Sequence, residues 1–184
     1  MAQPTDPHPA QGPRGTPEPG RTAGPGSLSH VAAGADGAPE SRMVDVSAKP
    51  ETARRATARS RVRFPAGVLE RVLDGRGPKG PVCEMARAAG VLAAKRTPEW
   101  IPLCHVLPLD VVDVRFAALD DERLEIRCTV ACTGRTGVEM EAMVGAAAAA
   151  LCVYDMTKGL DKGIELESVR LLEKSGGRSG TWRL

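Results

Sequence analysis

The chain has 184 residues, 42% of them hydrophobic and 26% charged, with a formal net charge of +2. That length holds one ordinary core, and a balance so close to neutral gives no reason to expect nucleic acid or a membrane surface as a partner. The five cysteines (Cys83, Cys104, Cys128, Cys132 and Cys152) are odd in number and form no CxxC pair, which points to free thiols in a reducing cytoplasm rather than a disulfide framework.

Residues 1–42 contain eight of the fifteen prolines and no aromatic residue. Such a segment buries too little apolar surface to offset its ordering entropy, so it is expected to be a disordered tail whose His8 and His30 are inert. No basic stretch followed by an apolar one opens the chain, and export is not expected. A single α+β domain is expected over 43–184. "MVDVS" begins an extended segment, and "RRATARSRVRF" alternates as a strand does up to Phe64. "PAGVLERVLDG" predicts a short helix with Pro65 at its start and Gly75 at its end. "VCEMARAAGVLAAKRT" predicts a second helix stopped by Pro98. "VVDVRFAALDDERLEIRCTVACTG" predicts a hairpin, with Val112, Val114 and Phe116 answered by Leu124, Ile126, Cys128 and Val130 across the turn. An Ala-rich helix follows, and "IELESVRLLEKSGG" closes with a strand. Hairpin-paired strands with helices packed on one face make an α+β sandwich.

The Ala-rich helix keeps its charges at its ends. Glu139 and Glu141 stand at its head, Asp155 and Lys158 at its tail, and Ala142 to Tyr154 carry no charge. That run is too short and small-sided to span a bilayer. Glu141 and Asp155 lie about 21 Å apart along a straight helix, pointing within about 40° of each other. The small residues between them predict close approach of a second copy of the helix about a two-fold axis, so that each site is shared by two chains; the alternative is a helix that begins after Glu141 or kinks, with the whole site in one subunit.

Lysine placement gives a further clue. The domain has six lysines against many more arginines, and Lys79, Lys95, Lys158 and Lys174 sit mostly beside glycine or in turns. Burial can pull a lysine pKa toward neutrality, which suits proton transfer, whereas arginine stays charged. "GRGPKG", "TGRTG" and "SGGRSG" combine glycine with a cation. Their converging N–H groups and charge suit a polyanion such as a nucleoside triphosphate, and "TGRTG" leads straight into the long helix. His105, the domain's one histidine, lies in the stiff "IPLCHVLPL" loop, where it can serve as a positioned acid, base or donor. Cys104, His105, Cys128 and Cys132 lack zinc-finger spacing, so no metal is expected.

"MVDVSAK", "DGRGPKG", "AAKRTPEWIPLCH", "TGVEMEA", "YDMTKGLDK" and "VRLLEKSGGRSG" resemble, in order, the signature segments of the MoaC family of molybdenum-cofactor biosynthesis. The resemblance runs from Met43 to about Gly180. It implies a ferredoxin-like antiparallel sheet with helices on one face, in a hexamer built as a trimer of dimers; the shared site argued from the Ala-rich helix would then lie at the dimer interface. It implies conversion of 3′,8-cyclo-7,8-dihydroguanosine 5′-triphosphate to cyclic pyranopterin monophosphate with loss of pyrophosphate, without metal or other cofactor. The family's functional positions fall on Asp45, Lys79, Leu103, Cys104, His105, Glu139, Met140, Glu141, Asp155, Lys158 and Lys174. Val106, Pro81 and Thr157 depart from the usual pattern.

Ring opening and reclosure need groups that exchange protons, and a leaving pyrophosphate needs cations. Asp155 and Lys158, one helical turn apart, are the expected acid–base pair, with Lys79 as a second proton-transfer group or phosphate contact. His105 and the Glu139/Glu141 pair are expected to hold the ring system, and Arg96, Lys174 and Arg178 to contact phosphate. A non-catalytic nucleotide-binding regulatory module of the same fold stands as the alternative. A metal-dependent hydrolase would need more than one histidine near its carboxylates.

Overall fold

Residues 31–75 and 77–184 are described by the structure, a computed structural model. Most of the expected tail, with His8 and His30, therefore lies outside the described residues, as does Arg76. The chain divides into two units, 1–41 and 42–184. In the first, β1 (Val31–Ala33) pairs antiparallel with β2 (Pro39–Ser41), and the Asp36 carboxylate accepts from the Ala38 amide in the turn at 2.9 Å.

The second unit is built on β3 (Thr52–Arg63), whose alternation sorts its residues cleanly. Ala56, Ala58, Ser60 and Val62 are buried, and the arginines at 55, 59, 61 and 63 occupy the other face. After β3 come α1 (Val68–Leu73), α2 (Val82–Lys95) and the single turn α3 (Thr97–Trp100). The expected hairpin is β4 (Val111–Ala118) and β5 (Arg123–Gly134), with Val112 opposite Val130, Val114 opposite Cys128 and Phe116 opposite Ile126. The long helix α4 (Glu139–Thr157), β6 (Glu165–Ser175) and a two-residue β7 (Trp182–Arg183) complete the unit. The antiparallel sheet runs β4-β5-β3-β6-β7. Without its last short strand this is the strand–helix–strand–strand–helix–strand order of ferredoxin-like folds.

α4 lies on β3, β5 and β6, and α2 packs on α4 and β4. Ser60 fixes the centre by donating its hydroxyl to the Ala146 carbonyl of α4 at 2.7 Å. On the opposite face Glu125 is 3% exposed and receives Arg59 at 3.2 Å, Arg61 at 3.4 Å and Arg127 at 2.7 Å. Burial alone would raise its pKa; the three guanidinium groups outweigh that and hold it below the ordinary value.

One expectation needs correction. Pro98 does not stop the second helix, which ends at Lys95; it sits in the first turn of α3, where its missing N–H would have had no partner. One side of the uncharged middle of α4 packs on α2 of the same chain: a Cβ on Gly90 would lie 3.0 Å from the Gly145 carbonyl oxygen, and one on Gly145 would lie 3.2 Å from the Gly90 carbonyl oxygen. Leu151, on the side away from α2, is 52% exposed. The small residues serve this crossing. Among the described residues α4 is the one helix long and apolar enough to cross a membrane, yet 61% of its apolar stretch is buried inside the fold.

Candidate active site

α2 and α4 run antiparallel, since Gly90 meets Gly145 and Ala149 while Ala94 meets Gly145. The turn before α2 therefore arrives at the C-terminal end of α4. Gly80, at φ 90°, makes the bend, and Pro81 opens α2 with φ −72°. Lys79 is thereby aimed at α4: its Nζ donates to Asp155 Oδ2 at 2.7 Å, and Lys158 Nζ lies 2.7 Å from Asp155 Oδ1. One carboxylate joins two ammonium groups. Its bonds to Lys158 and then to Lys79 lower the Asp155 pKa to about 2, and the bond to Asp155 raises that of Lys158. Nearby Thr157 is fully buried and donates to the Val153 carbonyl at 2.6 Å, so it braces the helix.

The other end of α4 carries Glu139, Met140 and Glu141 in its first turn. Two residues apart, Glu139 and Glu141 are separated by about 200° around the axis, and their surroundings differ. Glu139 lines a cavity of about 350 Å³ together with Lys49, Arg54, Arg55, Arg135, Lys174 and Arg178. Glu141 is 3% exposed, and burial pushes its pKa up to about 6.

The six cations of the cavity come from four segments. Arg54 is fixed by donating to the Gly134 carbonyl at 3.2 Å, and Lys174 bonds to the Ser179 hydroxyl. The loop after β6 turns through Gly176 and Gly177, at φ 98° and 70°. A Cβ on Gly176 would fall 2.1 Å from the Ala53 carbonyl oxygen, so only glycine lets the loop lie against β3 here. Of the three expected phosphate contacts, Lys174 and Arg178 line this cavity. Arg96 does not; it caps the C-terminal end of α2. Arg135 is the cation of the "TGRTG" loop expected to suit a polyanion. Lys49, Arg54 and Arg55 are additional cations that the sequence does not mark, Arg54 and Arg55 because they read as ordinary residues of an alternating strand.

The loop containing Leu103, Cys104 and His105 passes beside Glu141. Cys104 is half-buried, and burial first, then the Glu141 charge, raises its pKa. His105 Nε2 is 2.8 Å from the Val44 carbonyl oxygen, next to Asp45. Asp45 accepts the Ser47 amide at 2.8 Å, which lowers its pKa, with His105 contributing least. Val106 is 85% exposed. The expected site residues thus form two groups at opposite ends of α4: the Lys79–Asp155–Lys158 bridge, and the Glu141–Cys104–His105–Asp45 set beside the cation-lined cavity.

The MoaC family profile matches residues 43–177, a span that contains both groups and every cation of the cavity except Arg178. The chain belongs to the MoaC family. It is 53% identical over 145 residues to a cyclic pyranopterin monophosphate synthase of Thermomicrobium roseum, an alignment covering 78% of this chain and 87% of that protein. A protein of the same name from Novosphingobium aromaticivorans is 49% identical over 156 residues, covering 85% of this chain and 96% of its own length. One from Chloroflexus aggregans is 49% identical over 157 residues, covering 85% and 93%.

Proposed function

We infer that this protein is a cyclic pyranopterin monophosphate synthase, a lyase of molybdenum-cofactor biosynthesis. It converts 3′,8-cyclo-7,8-dihydroguanosine 5′-triphosphate to cyclic pyranopterin monophosphate and pyrophosphate. The observation that carries this reading is the bridge of Asp155 to Lys79 and Lys158, both at 2.7 Å. A triphosphate ester becomes a cyclic monophosphate when a hydroxyl of the same molecule attacks the α-phosphorus and displaces pyrophosphate. The hydroxyl proton must pass to a base, and the charge growing on the leaving group must meet cations. Lys79 and Lys158 would move protons, with Asp155 orienting both ammonium groups. The cavity of Lys49, Arg54, Arg55, Arg135, Lys174 and Arg178 suits a triphosphate. His105, Leu103, Cys104, Met140, Asp45 and Glu141 would contact the ring system, and Glu139 would face the phosphate end.

These parts lie about 21 Å or more apart along one α4, beyond the span of one nucleotide-sized ligand. We therefore place the complete site between two copies of the chain, in a hexamer assembled as a trimer of dimers, working in the cytoplasm. The axial separation supports this arrangement, with α2 packed along one side of the middle of α4. A bacterial strain lacking its own synthase should regain the cyclic pterin when it expresses this chain, and should not when it expresses Lys158→Ala. Failure of the well-expressed wild-type chain to restore it would sink the reading.

A further inference from the structure

Among the described residues that line the cation cavity, Glu139 is the one acid set against six cations. Its carboxylate folds back over Gly137, which belongs to the same wall: a Cβ on Gly137 would lie 1.9 Å from Glu139 Oε2 and 2.8 Å from Oε1. The bare Cα of glycine is what lets the carboxylate rest there. Three of the cations have other partners. Arg54 donates to the Gly134 carbonyl at 3.2 Å, Arg135 lies 3.6 Å from Glu51, and Lys174 bonds the Ser179 hydroxyl. Glu139 is thus a negative charge set into a wall of positive ones, facing whatever anion the cavity holds. Such a cavity affects turnover at its last step. The substrate is held by its ring and by its phosphates, whereas the pyrophosphate released from it is held by the cavity alone. Cations that stabilise charge growing on the leaving group also retain the departed ion, and a product held too firmly limits kcat.

We propose that Glu139 is the counter-charge that lets pyrophosphate leave: its carboxylate repels the free ion and weakens the cavity's hold on it, while ring contacts keep the substrate bound. This deepens the functional reading above and rests on it. As a ring contact Glu139 would accept from an N–H donor; on the cavity wall it meets phosphate oxygens, which repel it. Gly137 shares the task, because a side chain there would push the carboxylate off the wall.

The test is the Kd of inorganic pyrophosphate by titration calorimetry, and its Ki as a product inhibitor, in wild type, Glu139→Gln, Glu139→Asp and Gly137→Ala. Loss of one negative charge beside the bound ion should tighten pyrophosphate about tenfold in Glu139→Gln, and the gain should shrink as salt screens it. Its KM and kcat for the cyclised nucleotide should fall together, as slow product release requires. Glu139→Asp, which keeps the charge, should stay within about threefold of wild type. Gly137→Ala keeps the charge but displaces it, so it should also tighten pyrophosphate. The inference is overturned if folded Glu139→Gln binds pyrophosphate no more tightly than wild type, or if it loses affinity for the cyclised nucleotide with pyrophosphate binding unchanged, which is the result of a ring contact. Should Gly137→Ala fail to fold, Glu139→Gln decides by itself. The calorimetry needs no turnover, so its failure leaves the functional reading standing. Wild type that releases no pyrophosphate from the cyclised nucleotide overturns that reading, and the product-release role with it.

Discussion

Lys79 and Asp155, 76 residues apart in sequence, meet at 2.7 Å because α2 and α4 are antiparallel and the turn at 77–80 delivers Lys79 to the end of α4. Both side chains are about half exposed, so their contact contributes little to folding at neutral pH. It sets the charge and orientation of the site. The Asp155 pKa is depressed to about 2 by Lys158 and Lys79. A depressed carboxylate contributes stability above its unfolded value and loses it as pH falls through the folded value. The contribution should thus be complete above about pH 4 and lost toward pH 2. Lys79→Ala should leave Tm at pH 7 nearly unchanged, raise the Asp155 pKa measured by NMR, and abolish most turnover. A Lys79→Ala protein with normal turnover would remove Lys79 from the site.

Lys158 tests whether a transferable proton is needed. Its pKa is raised by Asp155 in the free protein, so the substrate must loosen that bond before the proton can move. Arginine at 158 would keep the charge and the contact with Asp155 but not a transferable proton. Lys158→Arg should therefore lose kcat almost as fully as Lys158→Ala. Recovery of most of kcat by arginine would show that charge alone matters.

Gly176 tests the cation-lined cavity. At φ 98°, with a would-be Cβ 2.1 Å from the Ala53 carbonyl oxygen, alanine must push the loop of Lys174 and Arg178 off β3. Gly176→Ala should cost about 2 kcal/mol or more in stability and raise KM for the triphosphate more than it lowers kcat. Unaltered Tm and KM would show that the loop position does not govern phosphate binding.

Mixed oligomers test the division of the site between copies. Glu141→Ala and Asp155→Ala proteins, each impaired alone, carry lesions at opposite ends of α4. After co-refolding, about half of randomly formed dimers are mixed and hold one intact site, so roughly a quarter of wild-type activity should return. If demonstrated subunit exchange restores nothing beyond the parent activities, the site belongs to one chain.

The hairpin and α4 were legible because their signals are local: period-two alternation from Val112 to Val130, and an uncharged run between charged ends. The packing of α4 on α2 was not: the small residues of α4 meet "ARAAGVLAA" of α2, equally small-sided, at the Gly90–Gly145 crossing. Helix–helix pairing is a tertiary choice that neither segment states alone. The bridge of Asp155 to Lys158 followed from helical spacing, while Lys79 came from the family resemblance and from its glycine-bounded turn. Arg54 and Arg55 escaped notice because strand alternation makes arginine look like solvent-facing charge; only the return of Gly134 and Gly176 beside β3 gives them a cavity to line. The contrast between Glu139 and Glu141 was available from their two-residue spacing once the helix is known to start at Glu139.

The most direct measurement is pyrophosphate release by purified, chelator-treated full-length protein given 3′,8-cyclo-7,8-dihydroguanosine 5′-triphosphate. One pyrophosphate should appear for each nucleotide consumed, with cyclic pyranopterin monophosphate formed in equal amount, and the Lys158→Ala protein should release none above background. Binding of the nucleotide by correctly folded wild-type protein, with no pyrophosphate released, would contradict the synthase assignment and leave a regulatory nucleotide-binding module in its place.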